Sequence, residues 1–136
     1  MSALRVSRFE PAAYAALRVV SGVLFAFHGV QKIFGWVTAK APPAFGSQLW
    51  LGGIIELVGG ALIALGLFTR HAAFLCSGTM AVAYTQFHWK LTLAGAQWLP
   101  IVNKGELAVV YCFVFLYIWT QGSGVASLDK LRGTIK

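Results

Sequence analysis

The stretch Leu49-Trp-Leu-Gly-Gly-Ile-Ile-Glu-Leu-Val-Gly-Gly-Ala-Leu-Ile-Ala-Leu-Gly-Leu-Phe-Thr-Arg70 is apolar over a membrane-spanning length and holds one carboxylate, Glu56, before it closes on Arg70. At helical spacing Gly52, Glu56, Gly59, Gly60 and Ile63 share a face, so the acid lies in a stripe where a second helix can approach closely. An ionisable group inside a hydrocarbon layer is costly and calls for a specific partner. What Glu56 meets is therefore the functional question the sequence poses.

The rest of the chain has the same character. Its 136 residues are 58% hydrophobic and 11% charged, and a mean hydropathy of +0.72 is too apolar for a soluble domain of this size. A hydrocarbon core about 30 Å thick takes roughly 20 helical residues. Four runs meet that length: about 12–36, 49–68, 72–89 and 99–120. They are continuously apolar and lack the alternation of a membrane β-barrel. The expected fold is all-α: an integral membrane four-helix bundle, with residues 1–136 as a single transmembrane domain. The first run contains Arg18 and no small-residue cleavage pattern follows it, so it reads as a retained span and not a signal peptide.

The net charge of +7 is a topology signal and does not point to nucleic acid. Arg5, Arg8, Arg70, Lys130, Arg132 and Lys136 fall on one side of a four-span chain, and Lys40 and Lys90 on the other. The positive-inside rule places both termini in the cytoplasm, with the protein in the cell (inner) membrane. Cys76 and Cys112 stand singly, which argues against a cycling dithiol.

In the first run Arg18, Gly22, Phe25, Gly29 and Lys32 recur at spacings of four and three and form one seam, with His28 beside it. Ala41-Pro-Pro43 resists regular structure. Thr69-Arg-His71 leaves almost no loop, so the second and third helices are antiparallel neighbours. The third run places Ser77, Ala81, Tyr84 and His88 on one stripe. Pro100 is expected to start the fourth helix, which would bring Glu106 to a depth like that of Glu56 and set Asn103 on its face. Lys104 would point away and snorkel to the interface. A weak internal repeat pairs His28, Lys32 and Glu56 with His88, Lys90 and Glu106. Gly122 and Gly124 release the chain into a tail expected to be solvated.

Two carboxylates, two imidazoles and two amines near the outer leaflet could relay protons, hold a polar head group or pin helices together. Quinone reduction takes up two protons, and carboxylate or imidazole can hydrogen-bond the head-group oxygens and relay them. The structural alternative is that the acids pair with Lys32, Lys104 or Arg18 as glue. His28 and His88 as axial ligands of a haem are disfavoured, because short helices packed on glycine leave little room for a macrocycle. The His and Cys spacings suit no metal, and no phosphate loop or nucleophile elbow is present.

The runs Arg18-Val-Val-Ser-Gly-Val-Leu-Phe-Ala-Phe-His-Gly-Val-Gln-Lys32 and Gly53-Ile-Ile-Glu-Leu-Val-Gly-Gly-Ala-Leu-Ile-Ala-Leu-Gly66, with Thr69-Arg70, Asn103-Lys-Gly-Glu106 and Gly122-Ser-Gly through Ser127-Leu-Asp129, resemble the DoxX family of small four-span membrane proteins. Arg18, Gly29, Lys32, Glu56, Gly59, Gly60 and Glu106 fall on that family's pattern. The resemblance implies an association with membrane oxidoreductases of the thiosulfate:quinone type, or with redox-defence enzymes at the membrane.

The reading that follows is a quinone-interacting subunit of a membrane-bound oxidoreductase. Glu56, Glu106 and His28 would be its catalytic groups, and Lys32, Arg18, His88, Asn103 and Tyr84 would bind the ligand. Lys32 and Arg18 would keep the acids ionised. Its partners would be membrane lipid, a quinone, an oxidoreductase subunit and, through the glycine stripes, a second copy. Two other readings stand beside it: a non-catalytic membrane scaffold that recruits a redox-defence enzyme, and, with less support, a small-molecule carrier.

Overall fold

The computed structural model describes residues 7–133. All regular structure among them is helical: α1 (Glu10–Phe34), α2 (Gln48–Leu65), α3 (Thr69–Ala83), a π-helical continuation of α3 (Tyr84–Trp89), α4 (Pro100–Asn103), α5 (Glu106–Gln121) and α6 (Leu128–Leu131). Pro11 opens α1 in its first turn, where its missing N–H costs nothing. Gly35 closes α1 with a φ of 66° that an L side chain resists. Ser47 caps α2 by accepting from the Trp50 N–H at 3.2 Å. Gly66 ends α2, and α3 begins at Thr69, so the two are antiparallel neighbours as the short connection requires.

α1 and α2 run antiparallel along a seam of glycines. A Cβ added to Gly29 would lie 2.3 Å from the Leu57 backbone nitrogen, and one on Gly22 would lie 2.6 Å from that of Ala64. Gly60 returns the contact, its added Cβ falling 2.5 Å from the nitrogen of Ala26. Side chains at these positions would push the helix axes apart, so the small residues at spacings of three and four decide how closely the pair docks. α3 packs along both α2 and α5. Phe25, Ile63, Cys76, Tyr111, Phe115 and Ile118 form the shared core.

The distribution of polarity is inverted relative to a water-soluble bundle. Arg18 and Glu56 are buried together with glycines, alanines and serines, while Leu51, Phe74, Val110, Phe113 and many other large apolar side chains face outward. Two helices, α1 and α2, are long and apolar enough to cross a membrane, and α5 is a shorter apolar helix.

Two sequence expectations change. The fourth apolar run is not one helix: α4 is a single turn that ends at Lys104, whose φ is 60°, and α5 starts afresh at Glu106. Asn103 produces the break, because its side-chain oxygen accepts from the Gly105 N–H at 2.8 Å and offers the backbone an alternative to continued helix. The tail is also not solvated. Ser127 and Asp129 are buried, and Asp129 accepts from the N–H groups of Phe68 and Thr69 and from the Thr69 hydroxyl at 2.9, 3.1 and 3.0 Å. It caps the start of α3, satisfying donors that every helix N-terminus leaves open. The charge-based side assignment includes Arg5 and Lys136, which lie outside the described residues.

Candidate functional site

Glu56 meets Lys32. The Lys32 ammonium donates to Glu56 Oε1 at 2.5 Å, and the carboxylate is 3% exposed. Gly53 makes the pair possible: a Cβ there would lie 2.8 Å from that of Lys32, so the glycine admits the lysine stem while Glu56, one turn along, receives its head. The second carboxylate oxygen, Oε2, is buried and has no hydrogen-bond partner. Leaving such an acceptor unpaired costs about 1–3 kcal/mol or more.

Glu56 and Lys32 line an apolar groove of about 440 Å³ between α2 and α3, with Gln48 and Thr79 as its other polar lining residues. Gly52, Ile55, Gly78, Met80, Ala83 and Phe87 contribute to its walls. Gln48 donates to Gln86 at 2.5 Å beside the groove, tying the start of α2 to the π-helical turn. The π-helical turn, a feature common at functional sites, borders the groove through Phe87.

His28, one turn before Lys32 on α1, lies edge-on to the ring of Tyr111 with 6.1 Å between centroids. Tyr111 is buried on α5, packed against Phe25 and Phe115, and within electrostatic reach of Glu56. Sequence reasoning passed over Tyr111, which sits in an unbroken apolar run. The only available signal was its hydroxyl, a group that normally finds a partner when buried.

The other expected site residues go elsewhere. Arg18 is fully buried, but it does not serve the acids. Its Nη1 donates to the carbonyls of Ile63 and Ala64, both at 2.7 Å, and its Nη2 donates to those of Ala126 at 2.7 Å and Val125 at 3.4 Å. It closes the C-terminal end of α2 and ties the tail to it, with Asp129 in electrostatic reach. Burial pushes the Asp129 carboxyl up, but the Thr69 and Phe68 N–H groups, the Thr69 hydroxyl and Arg132 outweigh this and hold it below the ordinary carboxylate value.

Tyr84, His88 and Asn103 do come together, in a separate network. Tyr84 donates to the Trp98 carbonyl, Asn103 Nδ2 donates to Tyr84 Oη at 3.3 Å and to the Gln97 carbonyl at 2.9 Å, and His88 Nδ1 donates to the Asn103 carbonyl at 3.3 Å. Together they fasten the 90–99 loop over the end of α3. Glu106 joins neither group. Because of the break at Lys104 it is the first residue of α5 and is exposed.

With the glycine seam, the buried Arg18 and the Lys32–Glu56 pair in place, comparison with known proteins is decisive: the DoxX family model matches residues 13–89. The chain belongs to the DoxX family. The match covers α1 to α3 and so includes the whole Lys32–Glu56 groove, while α5 and the tail lie beyond it. A Haemophilus influenzae relative, described as an uncharacterized protein, is 38% identical over 128 residues, covering 92% of this chain and 94% of that protein. A more distant relative in Bacillus subtilis, named "Putative oxidoreductase CatD", is 26% identical over 119 residues, covering 83% of this chain and 81% of that one. No solved structure matches.

Proposed function

We propose that this DoxX membrane protein is a four-helix integral membrane bundle with cytoplasmic termini. It binds a quinone-class molecule in the α2–α3 groove and works as a subunit of a membrane oxidoreductase. The observation that carries the reading is Glu56 Oε2, a buried, unpartnered acceptor on a residue that lines an apolar groove. The groove is within the size range of small-molecule sites. A mostly apolar lining with a few polar groups, Glu56 and Lys32 among them, suits a ligand with a flat oxygenated head and an apolar tail. Support for the redox class comes from the oxidoreductase name of the Bacillus subtilis relative.

When bound, a quinone supplies two-electron, two-proton redox chemistry. The chain's own residues orient the head and handle protons. Lys32 donates a hydrogen bond to a head-group oxygen, and Glu56 Oε2 accepts one from a head-group hydroxyl and can take its proton. His28, one turn before Lys32 on α1, and Tyr111, within electrostatic reach of Glu56, extend the set of groups able to pass a proton onward. Electrons are exchanged with the partner subunit.

The test is mass spectrometry of an organic-solvent extract of the detergent-purified protein, compared with an equally treated unrelated membrane protein. The reading expects close to one quinone per chain, lost in Gly78→Phe, which fills the groove. Background lipid alone in the wild type refutes it.

A scaffold function for a redox enzyme draws on a different observation. The Lys32–Glu56 pair joins α1 to α2, as structural glue would. On that reading Glu56→Gln lowers stability in detergent and the partner is lost together with the fold.

A further inference from the structure

The glycines inside the helices fall into two kinds. Gly22, Gly29 and Gly60 are pressed against the backbone of a facing helix, Gly53 against the Lys32 stem, and a Cβ on Gly59 would lie 2.3 Å from the sulfur of Cys76. Packing explains all five. Gly52 and Gly78 have nothing within 4 Å of an added Cβ, yet both lie inside helices, where glycine is the least favourable residue after proline. Both line the groove at Glu56. No protein contact requires their small size, so it serves whatever fills the groove.

The hydrogen-bonding character of the Lys32–Glu56 pair decides which form of ligand fits. Held against the Lys32 ammonium, Glu56 is a carboxylate, and Oε2 can only accept. A quinone carbonyl is also only an acceptor and would set lone pairs against lone pairs. A quinol hydroxyl donates to Oε2 and still accepts from Lys32. The lysine therefore does not distinguish the two oxidation states, and the glutamate does. Building on the quinone-site reading above, we infer that the groove selects the reduced, hydroxyl-bearing form of its ligand, with Gly52 and Gly78 providing the room for it.

A hydrogen bond to a charged acceptor sets the size of the preference at about ten- to a hundredfold in affinity. The experiment is anaerobic equilibrium dialysis of the full-length protein in detergent against a short-tailed benzoquinone and, separately, its pre-reduced quinol. The wild type is expected to bind the quinol at least about tenfold more tightly. Glu56→Gln should bring the ratio to within about threefold, because an amide can donate as well as accept. Gly78→Phe should lose both forms with no fall in unfolding midpoint. Equal or tighter binding of the quinone by the wild type, blocked by Gly78→Phe, overturns the selection and leaves the site standing. Failure of both forms to bind overturns the site itself. Should Glu56→Gln not fold, the wild-type ratio and the Gly78→Phe block decide.

Discussion

Replacing Arg18 with methionine tests the assignment of this residue to the helix end instead of the acids. The substitution keeps much of the apolar stem and removes the guanidinium, which makes three 2.7 Å bonds to the carbonyls of Ile63, Ala64 and Ala126. At the low end for bonds to a charged group, about 1.5 kcal/mol each, their loss comes to ~4–5 kcal/mol. Removing a cation from a fully buried position returns part of this, on the order of 1–2 kcal/mol after partial rehydration of the carbonyls. The expected net destabilisation is about 3 kcal/mol, a large share of a small domain's stability. Arg18→Lys should lose about half as much, because one ammonium cannot reach both the end of α2 and residue 126. Equilibrium unfolding in mild detergent, driven by a denaturing detergent and followed by tryptophan fluorescence, measures both. A double-mutant cycle with Glu56→Gln adds a second check, since residues without shared partners give additive effects within about 0.5 kcal/mol. Destabilisation by Arg18→Met below about 0.5 kcal/mol, or strong coupling to Glu56, would refute the assignment.

The two kinds of glycine predict opposite effects of alanine: Gly29→Ala, forced 2.3 Å from the Leu57 nitrogen, should destabilise by about 2 kcal/mol or more, whereas Gly52→Ala, in open space, should stabilise by about 0.5–1 kcal/mol. The same unfolding assay separates them. Asp129 predicts an acid limb. Its carboxyl is held below the ordinary carboxylate value in the folded protein, so the stability it contributes is full above that ordinary value and disappears as pH falls through the lower folded value. Asp129→Asn should lower stability at neutral pH by about 1–2 kcal/mol through loss of its charged cap and flatten the profile below about pH 4; an unchanged acid limb in the variant would count against the cap.

The seam of α1 was readable because it depends on local spacing. Arg18, Gly22, Phe25 and Gly29 recur at helical intervals, and all four are buried. Lys32, the next member, could be set against Glu56 because both follow from the same periodicity. Positions that depend on chain reversals were not readable. Glu106 looked as deep as Glu56 only while the fourth run was taken as one helix, and a single Asn103–Gly105 hydrogen bond cancels that. Arg18 was grouped with the acids because charge invites charge, yet its partners are carbonyls 45 to 108 residues away in the chain, and carbonyls have no sequence signature. Tyr84, His88 and Asn103 were grouped as ligand-binding residues and do meet, in a network that also fastens a loop, an arrangement that only the third dimension shows.

The Arg18 clamp also sets an order of events during biosynthesis. The guanidinium leaves the ribosome early, but one of its acceptors, the Ala126 carbonyl, comes 108 residues later. At an elongation rate of about 5–20 residues per second, that gap lasts roughly 5–20 s. For that time the nascent α1 carries a cation whose final ligands do not yet exist. A chain cut short before residue 126 would keep the glycine seam and the Lys32–Glu56 pair but never complete the coordination of Arg18. The segment around residue 126 thus closes, late in synthesis, a set of hydrogen bonds that the first helix opens early.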